Sequence, residues 1–281
     1  MTTATAPDGV TLGYRELGDG PGLVVVHGSM QSSHSHLDLA RALAADVTVY
    51  LPDRRGRGLS GPFAPGYTTQ SEVDDLAALL TATGARAVFG VSSGAIVLLA
   101  TALARPDLVH QAVIFEPPLF ADPAEPAAIL AGFDRELAAG DLPAAMVTGM
   151  LGAQMGPPIL QRVPRGLLKR LTSLGMKADD KKTADGHIPM RQLGPLLHHD
   201  FTLAVENSGP FERYAGIQAE VLLLNGSKSP AYLRESVASL ARVLPAAQRV
   251  ELPGLDHGAS GNAAERGKPE VVADAIRTFL R

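Results

Sequence analysis

Gly90-Val91-Ser92-Ser93-Gly94 sets a serine among small residues, directly after the apolar run Ala87-Val88-Phe89 and directly before Ala95-Ile96-Val97-Leu98-Leu99-Ala100. Strand, G-x-S-x-G and helix in succession describe a sharp turn that presents a serine hydroxyl as a nucleophile. Small neighbours let the strand and helix approach closely enough to hold such a turn. As a bare pattern it also fits an ordinary strand-to-helix turn, because glycine and serine are common there. The chemistry must therefore come from partners. A serine nucleophile needs a general base within hydrogen-bond reach, an acid to orient that base, and backbone N–H groups to receive an oxyanion.

His257 is the candidate base, in the stretch Leu252-Pro253-Gly254-Leu255-Asp256-His257-Gly258. That stretch is a loop following the last strand-like run, and loops at the carboxyl ends of parallel strands open onto one crevice. Val24-Val25-Val26-His27-Gly28-Ser29-Met30 reads as a strand entering a His-Gly turn. The N–H of Ser29 is one candidate oxyanion donor. The N–H of Ser93, at the start of a helix whose first amides are unpaired, is the other. The His27 side chain reads as a brace for its loop. Asp256 adjoins His257 too closely in sequence to orient the same imidazole.

The elements that must position these groups alternate along the first 120 or so residues as short β-branched runs and longer helical patterns, the pattern of βαβ units and a parallel sheet. Strands are expected at Val10–Glu16, Leu23–His27, Val47–Leu51, Ala87–Val91 and Gln111–Phe115, with helices at His36–Ala45, Gln70–Thr83 and Ser93–Ala104. The last of these stops before Pro106. The pattern resumes with strands at Glu220–Leu224 and Arg249–Leu252 and helices at Tyr232–Val243 and Pro269–Leu280. Between about Pro117 and Gly216 the strand signal is lost and the sequence is helical, proline-punctuated and rich in Met and Leu. The expected organisation is an α/β core from residues 1–117 and 217–281, with a helical cap inserted at 118–216. Met146, Met150, Met155 and Met176 are expected in the cap core, some of them lining an apolar pocket, since methionine fills irregular shapes. Lys177-Ala178-Asp179-Asp180-Lys181-Lys182 reads as a solvated loop or lid edge.

Whole-chain properties narrow the function classes. The 281 residues are 46% apolar and 19% charged, ordinary for a globular protein. A net charge of −4 gives no basic footprint for nucleic acid. No apolar run is long enough to span a bilayer, and the first residues lack the basic and apolar regions of a secretion signal, so the cytoplasm is the expected location. With no cysteine, disulfides, thiol catalysis and cysteine-ligated metals are excluded. No cofactor or metal is expected. His198-His199-Asp200 lacks a recognisable ligand spacing and reads as a cap surface or pocket rim, and His34 and His36 read as solvent-facing helix-start residues. Gly90 to Gly94 is not followed by the third glycine of a dinucleotide fingerprint, which disfavours an oxidoreductase.

Taken in order, the His-Gly turn, the loop Asp53-Arg54-Arg55-Gly56-Arg57-Gly58-Leu59-Ser60, the G-x-S-x-G turn and the late histidine resemble the α/β-hydrolase superfamily over nearly the full chain. The resemblance implies a mostly parallel twisted sheet flanked by helices, a Ser-His-acid triad, and a structural loop at Asp53 without a catalytic role. It also exposes a departure. Most relatives carry an aspartate just after the penultimate strand, where this chain has Asn225-Gly226-Ser227-Lys228-Ser229-Pro230. Lys228 has the wrong charge to stabilise an imidazolium, and Glu235 falls inside the next helix. A second location for the acid in the superfamily is the end of the strand after the nucleophile helix, occupied here by Glu116. A carboxylate directly after Ala112-Val113-Ile114-Phe115 is costly to bury without a partner. Glu116 thus reads as the orienting acid, with a salt bridge or helix cap as the alternative. The zearalenone-type lactone hydrolases use a glutamate at this place, and share the Ser-Ser-Gly turn and the Leu-Pro-Gly stretch before the histidine.

The expected activity is hydrolysis of an ester or lactone of a moderately hydrophobic small molecule. C–C bond hydrolysis on the same triad, and ligand binding with a vestigial triad, stay open because fold does not set reaction. Neither a nucleic-acid nor a membrane partner is expected, and a homodimer is left open.

Overall fold

A computed structural model describes residues 2–183 and 186–281. Eight strands form one sheet: β1 (Thr2–Thr5), β2 (Thr11–Leu17), β3 (Gly22–Val26), β4 (Thr48–Pro52), β5 (Ala87–Val91), β6 (Gln111–Phe115), β7 (Glu220–Gly226) and β8 (Gln248–Leu252). Their spatial order is β1-β2-β4-β3-β5-β6-β7-β8. From β4 to β8 neighbours run parallel, whereas β2 pairs antiparallel with both β1 and β4.

The central strands β3, β5 and β6 read as near-continuous apolar runs because both faces are covered, whereas the edge strand β8 is largely exposed. In β3, Leu23 and Val25 pack on one face with Leu39, Leu43, Val272 and Ile276. Val24 and Val26 pack on the other with Leu76, Leu80, Ile96 and Leu99. The covering helices are α1 (Leu37–Leu43) and α10 (Pro269–Leu280) on the first face, and α2 (Thr69–Thr83) and α3 (Ser93–Ala104) on the second.

Strand β1 is the element that the sequence does not announce. Thr2-Thr3-Ala4-Thr5 has no apolar run; it pairs with β2 and buries Ala4 against Leu12, Tyr14 and Leu79. The sheet is mostly parallel, as expected, with the antiparallel pairing confined to β2: antiparallel neighbours need no crossover helix, and none lies between β1, β2 and β3.

Between β6 and β7 the described residues form helices only: α4 (Ala124–Ala138), α5 (Leu142–Gly152), α6 (Arg165–Asp179), α7 (Met190–Leu193), α8 (Leu197–Asn207) and short 3₁₀ turns. They share a small core of Phe133, Ala145, Met146, Met176 and Leu197. The chain then returns through β7, α9 (Ala231–Val243) and β8. Of the stretch from Lys177, the first three residues continue α6 rather than forming a loop, with Asp179 buried and accepting a hydrogen bond from the Met190 N–H at 2.7 Å, while Asp180, Lys181 and Lys182 lie beyond the helix and are exposed. Among the described residues no helix is long and apolar enough to cross a membrane.

Candidate active site

Ser92 sits between the end of β5 and the start of α3 with φ 56° and ψ −127°, outside the ordinary regions for a residue with a Cβ. The surroundings enforce that conformation. The Ser92 N–H donates to the Phe115 carbonyl at 3.0 Å. A Cβ on Gly90 would stand 2.6 Å from the Gly94 carbonyl oxygen, and one on Gly94 would press into the carbonyl oxygens of Val26 and His27. The two motif glycines are therefore what close packing of β3, β5 and α3 requires.

The loop after β3 lies against this turn. A Cβ on Gly28 would be 2.8 Å from Ser92 Cβ, so glycine there brings Ser29 alongside Ser92. Gln31 Oε1 accepts from the Gly28 N–H at 2.8 Å and holds the loop in place. His27 is fully buried; its Nδ1–H donates to the Gly28 carbonyl at 2.8 Å, and its Nε2 accepts from the Arg54 N–H at 3.1 Å. Burial, with the charges of Arg57 and Arg54, holds its pKa well below the usual histidine value. His27 is thus a neutral brace, since a proton on Nε2 would face the Arg54 N–H.

Glu116 ends β6 with φ 49° and is fully buried. Its Oε2 lies 2.6 Å from His257 Nδ1, and its Oε1 accepts from the Gly226 N–H at 2.7 Å. His257 stands on the loop after β8. Asp256 faces elsewhere, its Oδ1 accepting from the Gly258 N–H at 3.0 Å. At the position after β7, Lys228 is exposed and Asn225 donates to Glu251 at 3.0 Å.

Ser92 and His257 line one cavity of about 430 Å³. Among the described residues the two form no direct hydrogen bond; such pairs commonly close only with substrate bound. Ser29, Gln31 and Asp200 supply further polar groups to the wall. Apart from Tyr232, whose hydroxyl donates to the Ala153 carbonyl at 3.2 Å, the rest is apolar, including Met30, Phe120, Ile129, Met146, Met150, Met155, Met190, Leu197 and Phe201, and among the described residues no lysine or arginine lines it. Three of the four methionines singled out in sequence therefore line this cavity, and Met176 is buried beside it in the helical core.

The structure corrects the reading of two polar residues. Asp200 is no rim residue: on α8 it is 3% exposed and reaches the turn carrying Ser92. Its Oδ1 accepts from Arg54 Nη1 at 2.8 Å and Ser93 Oγ at 2.9 Å, and its Oδ2 from Arg57 Nη2 at 2.6 Å. Burial alone would raise its carboxyl, but Arg57 and Arg54 outweigh burial and hold it at about 2. Arg54 also forks onto Glu72 at 2.7 and 3.0 Å. No sequence signal marks Asp200, because nothing in its spacing ties it to an arginine 146 residues away. His198 and His199 do diverge from it, His198 toward Asp134 and His199 stacked on Phe63. His36, expected at the surface, is fully buried with Nδ1 2.9 Å from the Ser260 carbonyl, while His34 borders a separate cavity with His187. Among the described residues no group of three or more histidine or acidic side chains is placed to hold a metal ion.

Comparison with known proteins agrees with this architecture. The chain is similar to the 2-(acetamidomethylene)succinate hydrolase of Mesorhizobium japonicum, 27% identical over 96% of this chain and 92% of that protein. Among solved structures, an alpha/beta hydrolase from Sphaerobacter thermophilus superposes with a TM-score of 0.76 at 28% identity, covering both chains completely. A thermophilic esterase from Thermogutta terrifontis superposes with a TM-score of 0.73 at 20% identity, covering 100% of this chain and 97% of that one. The family model described as the alpha/beta hydrolase family matches residues 23–275, and with its sheet order and serine turn the chain belongs to that family.

Proposed function

We propose that the protein is a cofactor-independent serine hydrolase cleaving an ester or lactone bond of a neutral, moderately hydrophobic small molecule. The reading is carried by the Glu116–His257 pair at 2.6 Å, beside a cavity that Ser92 also lines. With Nδ1–H committed to Glu116, the neutral imidazole keeps Nε2 free of a proton, the form a general base requires. Ser92 Oγ attacks the substrate carbonyl carbon as His257 Nε2 takes its proton. The carbonyl oxygen becomes an oxyanion received by the N–H groups of Ser29 and Ser93, the latter at the positive end of α3. Collapse breaks the C–O bond, and the leaving oxygen takes the proton from His257. Water then attacks the acyl carbon, giving its proton to His257; the second collapse returns a proton to Ser92 Oγ and releases the acid. A lactone opens to a hydroxy acid by the same steps.

Residues 118–216 are read as a cap that closes the cavity over the core. A volume of about 430 Å³ lies within the ~300–1,000 Å³ typical of small-molecule sites. A neutral substrate follows from the wall chemistry. The nearby guanidinium groups of Arg54 and Arg57 are paired with Glu72 and Asp200, and among the described residues no lysine or arginine lines the cavity.

A panel of neutral esters, lactones and β-diketones, followed for a burst of released alcohol and then steady turnover, tests this reading. A burst with esters or lactones supports it. Turnover confined to β-diketones assigns C–C bond cleavage instead, and tight retention of ligands without turnover assigns a binding protein.

A further inference from the structure

We infer that Asp200, carried by α8 in the helical segment between β6 and β7, is a positioning residue for the oxyanion hole and acts through the side chain of Ser93. The inference rests on the reading of Ser29 and Ser93 as oxyanion donors.

Ser93 is 1% exposed, and its hydroxyl is fully committed. It accepts from Ser29 Oγ at 3.2 Å and from Arg54 Nη1 at 3.0 Å, and it donates to Asp200 Oδ1 at 2.9 Å. A hydroxyl has one proton and two lone pairs, so these three bonds exhaust it and select one rotamer. The Ser29–Ser93 bond joins the loop after β3 to the first residue of α3, 64 residues apart in sequence. These are the same two residues whose N–H groups must converge on one oxygen, at about 2.7–3.1 Å each, for an oxyanion to be bound well. Their side chains fix the separation that their backbones need.

The far end of this chain of bonds is equally constrained. Both oxygens of Asp200 are occupied by arginines, and Arg54 is anchored in turn by its fork on Glu72. Burying such an ionic network is costly and is weak as a source of stability, so its position behind the donors is better explained by the geometry it imposes. Asp200 also lines the substrate cavity, on the same helix as Leu197, Phe201 and Ala204. The helix that touches the substrate is thus the helix that holds Ser93. When α8 is unseated, the nucleophile remains but the hole loses its fixed width.

The test uses the full chain with Ser93→Ala, which keeps the N–H and every ion pair of Asp200, and with Asp200→Asn. For Ser93→Ala on a neutral ester we expect KM to change little and kcat to fall about ten- to hundredfold, less than the ~10²–10³-fold loss from removing a donor outright. Phosphonylation of Ser92 by a fluorophosphonate should slow by the same factor, because the P=O oxygen occupies the same hole. Asp200→Asn should share this signature in its folded fraction, and if it does not fold, Ser93→Ala decides alone. Ser93→Ala reacting at wild-type rates, or losing only melting temperature, overturns the inference while leaving the serine-hydrolase reading intact. Wild-type protein that is not labelled at Ser92 overturns both.

Discussion

Glu116 and His257 lie 141 residues apart in sequence and 2.6 Å apart in space. The second carboxylate oxygen is held by the Gly226 N–H at 2.7 Å, so the carboxylate is fixed at two points before it meets the imidazole. Glu116 accepts a positive φ of 49° at this place, a conformation that costs a residue with a Cβ on the order of 1 kcal/mol or more. Glu116 follows β6, the strand paired with β5, and β7 contributes a backbone donor to its carboxylate.

Glu116→Gln follows directly. The amide oxygen can keep the Gly226 bond, but its NH₂ would face His257 Nδ1 and favour the tautomer with a proton on Nε2. We expect kcat to fall by about 10³–10⁴, with the melting temperature nearly unchanged. Steady-state kinetics and a thermal melt on one preparation check both halves.

The glycines around Ser92 should separate stability from activity. Gly94→Ala forces a methyl group into two backbone carbonyls and should cost about 1–3 kcal/mol or more in urea unfolding. Gly28→Ala meets Ser92 Cβ at 2.8 Å and Gln31 Oε1 at 3.2 Å, on a loop rather than in the sheet. That variant should fold and lose most of its activity, because the added methyl pushes Ser29 away from Ser92.

Acid should weaken the fold through His27. Its folded pKa lies well below its unfolded value of 6.5, so it contributes full stability above pH 6.5 and less as pH falls toward its folded value. The expected slope from this residue is about 1.4 kcal/mol per pH unit below 6.5. Asp200, held at about 2, adds a second loss below its unfolded value of 3.8. Urea midpoints at pH 7, 6 and 5 should decline for the wild type, and His27→Gln should flatten that decline by about one proton.

Substrate size should respond to the methionines. Met150 lines the cavity, and Met150→Ala should raise the kcat/KM ratio of a longer to a shorter acyl ester by roughly tenfold or more, the order of discrimination of one or two methylenes. Unchanged ratios across a C2 to C10 ester series would place the acyl chain elsewhere.

Much of this site is legible in the sequence because local chemistry writes it. Ser92, Gly90 and Gly94 show themselves through a turn that only small residues allow, and α3 and β5 fall at the residues expected. Glu116 is legible as a carboxylate with no reason to follow an apolar strand unless partnered. Asp200 and Gln31 are not legible: their partners, Arg54 and the Gly28 N–H, are set by how α8 and the β3 loop dock, which no local pattern encodes. His36 misleads for the same reason, since a polar helix start looks solvated until the loop bearing Ser260 covers it. β1 escapes because threonine-rich edge strands take their order from a partner rather than from hydrophobic periodicity.

Ser92 is proposed as the nucleophile and His257 as its base. Treatment of the folded protein with a fluorophosphonate, followed by mapping of the adduct by mass spectrometry, tests it most directly. One adduct per chain is expected, on Ser92, absent from Ser92→Ala and strongly slowed in His257→Ala. No adduct on Ser92, or labelling that is indifferent to loss of His257, would contradict it.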